Sequence, residues 1–298
     1  MVKNESNYIL ITAARNEEDY IEKTIQSVIT QTIVPKKWII VSDGSTDHTD
    51  DIVNKYAGVY EFIQLIHIDS DNKRNFSSKV NAFNIGYRHI NNIEHEFVGN
   101  LDADVSFESD YFERLLKKFD DNENLGIVGG WIYELQDGKY KERFGNPERN
   151  VPGSTQLFRK VCFEMIGGYI PLKMGGEDTT AEVMARMNGW ETKCFPDLRV
   201  FHHRITGTEK CNTLYARYHQ GKEDYFLGYH PMFEALKCLA RIKEKPLVIG
   251  SIFRFFGYIE GLLSRKPIVI PNEVVKYLRK EQMMRIISLL TIKISIPS

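Results

Sequence analysis

Residues 98–107 read VGNLDADVSF, an apolar, strand-like run that ends in two aspartates, Asp102 and Asp104, separated by one alanine. Successive side chains of a strand point to opposite faces, so residues two apart emerge on the same side. The pattern predicts two carboxylates leaving one strand end together. Like charges so placed repel unless a cation, or the hydrogen bonds of a ligand, lie between them. The chain on either side decides which.

Working outward, the first half alternates strand-like and helix-like segments. NYILITAAR is a short apolar run, and Glu17–Gln31 then sets Ile21, Ile25, Val28 and Ile29 on one helical face. KWIIVSDGS reads as a second strand ending in a turn, Ile52–Tyr56 as helix, FIQLIHID as a third strand, 77–91 as helix and EFVGNLDADV as a fourth strand. A helix follows from near Ser109. This rhythm predicts an α/β fold with a mainly parallel sheet and helices on both faces. Ligands of such sheets bind beyond the carboxyl ends of the strands. Three polar clusters fall there: Arg15–Glu17, Asp43–Ser45 and Asp102–Asp104. Past residue 120 the rhythm weakens. GIVGGWIYEL, PGSTQLFRK and ETKCFPDLRVFHHRI read as strands, with a helix over Glu177–Asn188, and from about residue 232 the chain reads as helical, basic and apolar.

The 298 residues are of ordinary globular composition, 42% hydrophobic and 27% charged, with a net charge of −1 that argues against nucleic acid as the main partner. The balance is uneven. Residues 235–298 hold 12 Lys and Arg against 4 Glu and no Asp, a net of +8, which leaves −9 for the rest. The four cysteines, Cys162, Cys194, Cys211 and Cys238, show no metal-binding pairing and read as buried free thiols. With no leader-like start and no uncharged run of about 18 apolar residues, the expectation is a cytoplasmic protein.

A dinucleotide site needs a glycine-rich turn after the first strand. Here that position reads TAARNEEDY, whose acids suit a helix N-terminus but repel a diphosphate. No GxxxxGK[ST] occurs. Nucleotide phosphates would therefore need a divalent cation, Mn2+ or Mg2+, held by carboxylates.

Five stretches in this order, ILITAARNEEDYIEKTIQSVITQT, WIIVSDGSTDHTDDIV, KVNAFNIGY, GNLDADV and GGEDTTAEVMARMNGW, resemble the inverting GT-A glycosyltransferases of family 2, over roughly residues 7–210. The resemblance implies a GT-A nucleotide-diphospho-sugar transferase fold and a nucleoside-diphosphate sugar donor. It places Ala13, Arg15 and Glu17 in the loop lining the nucleotide pocket, and Asp43 against the base. Lys79 and Asn84 fall, more loosely, where the family contacts nucleotide or phosphates. Asp102 would face ribose or metal, and Asp104 would coordinate the metal. Asp178 corresponds to the catalytic base, with Glu177 beside it. His202 or His203 would add a metal ligand; as strand neighbours they face opposite sides, and His202 is favoured. Simpler roles stand beside these: a helix-terminal acid for Glu17, a turn residue for Asp43, an N-cap for Asp178, a core or surface histidine for either imidazole, and core packing for Trp131 and Trp190.

The expectation is a metal-dependent, inverting transfer to a glycan or lipid-linked acceptor, from a catalytic domain over 1–232. A basic, apolar helical extension over 233–298 either lies on an anionic membrane or packs with a solvated basic face. A nucleotidyltransferase shares the sheet and metal chemistry but lacks its glycine-rich loop here. A catalytically idle sugar-nucleotide binder is the rival that Asp178 argues against.

Overall fold

In the computed structural model, which describes residues 7–69, 76–90, 92–136, 138–143, 148–204 and 213–294, the first half alternates as its sequence period predicts. The order is β1 (Tyr8–Ala14), α1 (Ile21–Ile29), β2 (Lys37–Asp43), α2 (Thr49–Ala57), β3 (Ile63–Ile68), α3 (Phe76–Arg88), β4 (Phe97–Asn100), β5 (Val105–Phe107) and α4 (Tyr111–Asp121). Then come β6 (Leu125–Gln136), β7 (Lys139–Glu142), β8 (Leu157–Arg159), α5 (Lys160–Met165), α6 (Glu177–Met187) and β9 (Glu191–His202). Four helices close the described chain: α7 (Thr213–Phe226), α8 (Pro231–Ala240), α9 (Ile249–Ser264) and α10 (Asn272–Ile294).

The strands form one sheet in the order β3-β2-β1-β4-β8-β6-β9-β5, with β7 paired to β6. The longer ladders, β3-β2-β1-β4 and β6-β9, are parallel, and β8, β5 and β7 run antiparallel to their neighbours. The chain leaves β1 toward β2 and β3, then returns to add β4 on the opposite side of β1. That reversal opens a crevice at the carboxyl ends of β1 and β4. The sheet separates two apolar layers by strand alternation. Tyr8, Leu10, Trp38 and Ile40 pack with α1, α2 and α4, whereas Ile9, Ile11, Ile39 and Val41 pack with α3, α5 and α6. Gly86 lets α3 lie against the sheet, because a Cβ there would meet Ile11 and Val41 side chains at 2.8 and 3.1 Å.

Three sequence expectations change. The fourth strand stops at Asn100, so Asp102 and Asp104 lie in the turn between β4 and β5, not on a pleat. Their convergence comes from the turn. PGSTQLFRK contracts to a three-residue strand. The helical part expected from about residue 232 begins earlier, with α7 at Thr213. Cys162, Cys194 and Cys238 are buried free thiols, and Cys211 lies outside the described residues. Trp131 and Trp190 are only half-buried.

The described residues divide into two compact units, one within Met1–Lys173 and Glu177–Thr206, the other within Met174–Gly176 and Gly207–Ser298. In the second, α7 and α9 approach closely through Gly221 and Gly257, where any Cβ would collide with the facing backbone carbonyls of Arg254 and Tyr218. No helix among the described residues is long and apolar enough to cross a membrane.

Candidate functional site

The loops after β1 and β2 are knitted together by short polar side chains. Asn16 has a φ of 54°, a left-handed conformation that asparagine tolerates. Its Oδ1 accepts from Thr46 N at 2.8 Å, and its own N–H donates to Ser45 Oγ at 3.2 Å. Glu17 N donates to Thr49 Oγ1 at 2.8 Å. Arg15 lies 3.8 Å from the Asp43 carboxylate at the end of β2, both partly exposed to solvent. Ala13, half-buried on β1, sits opposite Val41 of β2.

The acidic corner is clamped from three sides. Leu101 N donates to Ile11 O at 3.0 Å, Asp102 N to Ser154 O at 2.9 Å, and the Thr24 hydroxyl of α1 donates to Val105 O at 2.8 Å. Each bond fixes the backbone that carries an aspartate. Lys79 Nζ reaches Asp102 Oδ1 at 2.5 Å. Burial alone would lower the Lys79 pKa; the charges of Asp102 and then Glu177 overcome this and hold it well above the usual lysine range. Asp104 is buried, and burial pushes its carboxyl up, opposed by His202, whose Nε2 lies 3.3 Å from Asp104 Oδ1. Arg204 completes the corner: its Nε pairs with Asp104 Oδ2, and its Nη2 bonds Glu17 Oε1 at 2.7 Å.

Opposite lies the start of α6. Asp178 accepts from Gly153 N at 3.2 Å through Oδ2 and from Thr179 N at 2.6 Å through Oδ1. Gly153 must be glycine here, since a Cβ would stand 2.8 Å from Asp178 Oδ2. Burial, then the neighbouring Asp178, raises the Glu177 pKa. One turn on, Glu182 is buried and accepts from Val151 N, which ties α6 to the loop carrying Gly153. Asn100 donates to Gly153 O, while its buried Oδ1 has no hydrogen-bond partner among the described residues. Lys79 feels both sides of the site, because Asp102, Glu177 and Asp178 all raise its pKa.

The structure thus groups Lys79, Asp102, Asp104 and His202, with Glu17 joined through Arg204 and Glu177 and Asp178 within electrostatic reach. His203 points elsewhere: its Nδ1 meets the Tyr140 hydroxyl at 2.6 Å, and its ring stacks on Tyr20 at 6.2 Å. Burial pushes its pKa down to about 4. Asn84 is half-buried five positions along α3 from Lys79, a rotation that turns it about 140° away. Arg204 escaped the sequence reading. Its signal is its position two residues beyond His202, on the same side of the chain as that imidazole.

Asp102, Asp104 and His202 each offer one ligand atom, and the three atoms lie within 4.8 Å of one another. Two carboxylate oxygens and an imidazole nitrogen form a donor set that suits a hard divalent ion such as Mn2+. The residues fit such an ion.

The chain is 23% identical over 288 residues to "Probable glycosyltransferase YdaM" of Bacillus subtilis, covering 88% of this chain and 66% of that protein. It is 30% identical over 218 residues to a poly-beta-1,6-N-acetyl-D-glucosamine synthase of Staphylococcus epidermidis, covering 66% of this chain and 50% of the synthase. The chain therefore spans between half and about two-thirds of the length of these relatives. Two solved structures share the fold. The mannosyltransferase PcManGT from Pyrobaculum calidifontis, in complex with GDP-Man and Mn2+, superposes with a TM-score of 0.57 at 14% identity, over 95% of this chain and 81% of that one. S. aureus TarS in complex with UDP-GlcNAc superposes at 0.56 and 13%, over 91% and 78%. The fold is that of the GT-A glycosyltransferases. Residues 9–175, which contain the knitted loops, Lys79, Asp102 and Asp104, match the family model described as "Glycosyl transferase family 2". That is more than half of the chain, and the chain belongs to this family.

Proposed function

We propose that this protein transfers a sugar from a nucleoside-diphosphate sugar to an acceptor hydroxyl by a single, inverting displacement. The observation that carries the reading is the convergence of Asp102, Asp104 and His202 at the carboxyl edge of the parallel strands, with Lys79 between them and the carboxylates of α6. Asp43, with Arg15 3.8 Å away beside the knitted loops, would meet the base. Lys79 is the cation placed to meet phosphate oxygens. A divalent ion held by Asp102, Asp104 and His202 would supply Lewis-acid stabilisation of charge on the leaving diphosphate.

Asp178 acts as general base. Its carboxylate takes the proton of the acceptor hydroxyl while that oxygen attacks the anomeric carbon. The bond from that carbon to the diphosphate oxygen breaks, and the electron pair leaves with the phosphate. The two backbone N–H groups on Asp178, from Gly153 and Thr179, aim its carboxylate. Glu177, whose raised pKa suits proton transfer near neutrality, is the companion to test. The sugar nucleotides bound to the fold neighbours, GDP-Man and UDP-GlcNAc, support a sugar-nucleotide donor, and the poly-N-acetylglucosamine synthases support a glycan acceptor. A lipid-linked acceptor is the other member of the class. Family membership favours this reading over nucleotidyl transfer.

The test is Asp178→Asn, assayed with a panel of sugar nucleotides, Mn2+ and glycan or lipid-linked acceptors. Removing a general base costs about 10²–10⁴-fold in rate. Donor affinity by calorimetry should stay within about threefold, because other residues hold the nucleotide. The asparagine amide must face one of two N–H donors, so stability should fall by about 1 kcal/mol. Turnover near the wild-type rate moves the base to Glu177. Donor binding with no turnover of any acceptor by the wild type supports the idle binder.

A further inference from the structure

Helices α8 and α9 are built inside out. The buried positions of α9 are Gly250, Ser251, Arg254, Gly257, Tyr258 and Gly261, three and four apart, so its inward face is small and polar. Its outward face carries Ile252, Phe253, Phe256, Leu262 and Leu263, each 39% to 75% exposed. On α8, Glu234 is fully buried while Leu236 and Leu239 are 43% and 63% exposed. A helix folded for water does the opposite.

The inward polar groups satisfy one another. Arg254 bonds Glu234 at 3.0 Å and pairs with Asp224, which also accepts from Lys237 at 3.0 and 3.1 Å. Such a buried cluster is costly to desolvate, yet the apolar side chains that would replace it are turned out. The bias is regional. Of 23 exposed large hydrophobic residues among those described, 17 lie between Met232 and Leu289. Fused to this face is positive charge: Lys243 and Lys245 precede α9, Arg265 and Lys266 follow it, and all four are exposed. A 16-residue helix is about 24 Å long, too short to span a bilayer but suited to lie in its surface with basic residues at both ends.

We propose that the outward face of α8 and α9 docks on an anionic lipid bilayer. The phenylalanines and leucines enter the boundary between headgroups and acyl chains, and the flanking basic pairs meet the headgroups. Charge selects this occupant, because an apolar protein surface would not call for basic residues at both ends of the helix. The inference is independent of the glycosyl-transfer reading.

The test uses the full chain and co-flotation with vesicles of phosphatidylcholine alone or mixed with phosphatidylglycerol. Binding is expected to the mixed vesicles and to weaken with salt. Phe256→Glu should reduce it about tenfold or more. Lys243→Ala and Lys245→Ala should each reduce it about fivefold. Val161→Glu, at a position 57% exposed on α5, should leave it unchanged. Because Phe256 faces outward, Phe256→Glu should keep the wild-type Tm in water; if it does not fold, Phe256→Trp reports instead, through quenching by brominated lipid. Absence of binding to the mixed vesicles, or binding indifferent to Phe256→Glu and to both lysine variants, overturns the proposal. So does a dimer by light scattering that Phe256→Glu dissociates while no vesicle is bound, which assigns the face to a second copy.

Discussion

At the residue scale the acidic corner separates two adjacent histidines. His202 turns its Nε2 toward Asp104, while His203 turns into the rings of Tyr140 and Tyr20. Strand alternation accounts for the split, since neighbours at the end of β9 face opposite sides. His202→Ala should therefore weaken Mn2+ affinity about 10–100-fold, by analogy with the loss of other ligand-shell groups. His203→Ala should leave that affinity within about threefold. Calorimetry of Mn2+ with nucleoside diphosphate checks both, and equal losses would detach His202 from the metal. Arg204 was not legible at this scale. An arginine two residues past a strand reads as surface charge until the fold brings Glu17 and Asp104 to it from positions 187 and 100 residues earlier.

At the element scale, packing is set by what the glycines permit. Strand and helix periods placed β1 to α3 in the observed order because apolar spacing decides those elements locally. The period misplaced the aspartates, because a turn after Asn100 replaces the pleat. Helix α7 is less legible still: its buried side is defined by contact with α9, not by its own hydrophobic spacing. Gly257→Ala tests that contact. In an exposed helix this substitution would stabilise by up to about 1 kcal/mol. Here the new Cβ meets the Tyr218 carbonyl, so α7 and α9 must separate. Destabilisation of about 1–3 kcal/mol is expected, read as a fall in the thermal or urea midpoint. A rise in the midpoint would mean that the helices do not approach as described.

At the scale of the whole molecule, buried carboxyls set how stability follows pH. Glu182 is buried, and burial, opposed by Arg186, pushes its pKa up to about 8. In the unfolded chain it is an ordinary glutamate near 4.5. Between those values the folded state holds a proton that the unfolded state has released, so this contribution to stability falls as pH rises from about 4.5 to about 8. Glu182→Gln removes that dependence and can still accept from Val151 N. The variant should match the wild type near pH 5 and exceed it at pH 8.5 by on the order of 4 kcal/mol, the size that a pKa difference between about 4.5 and about 8 implies, read as a Tm gap that widens with pH. Parallel pH–Tm curves for the two proteins would exclude the buried, protonated state.

The sequence by itself determined what local period and charge can carry: alternating strands and helices, the family motifs around Asp43, Asp102 and Asp178, and the segregation of +8 into the last 64 residues. Only the tertiary structure decided how the acidic pair is neutralised. Lys79 comes from α3, His202 and Arg204 from the end of β9 and beyond, and these partners meet only once β4, β5 and β9 share one sheet. It alone also decided which side of α9 faces outward. Along the chain, arginine and glycine alternate with phenylalanine and leucine, and burial of Arg254 follows from its partners Asp224 and Glu234 on other helices. A side chain's charge is written in the chain; what pairs with that charge depends on residues far away in sequence, and the fold alone places them in contact.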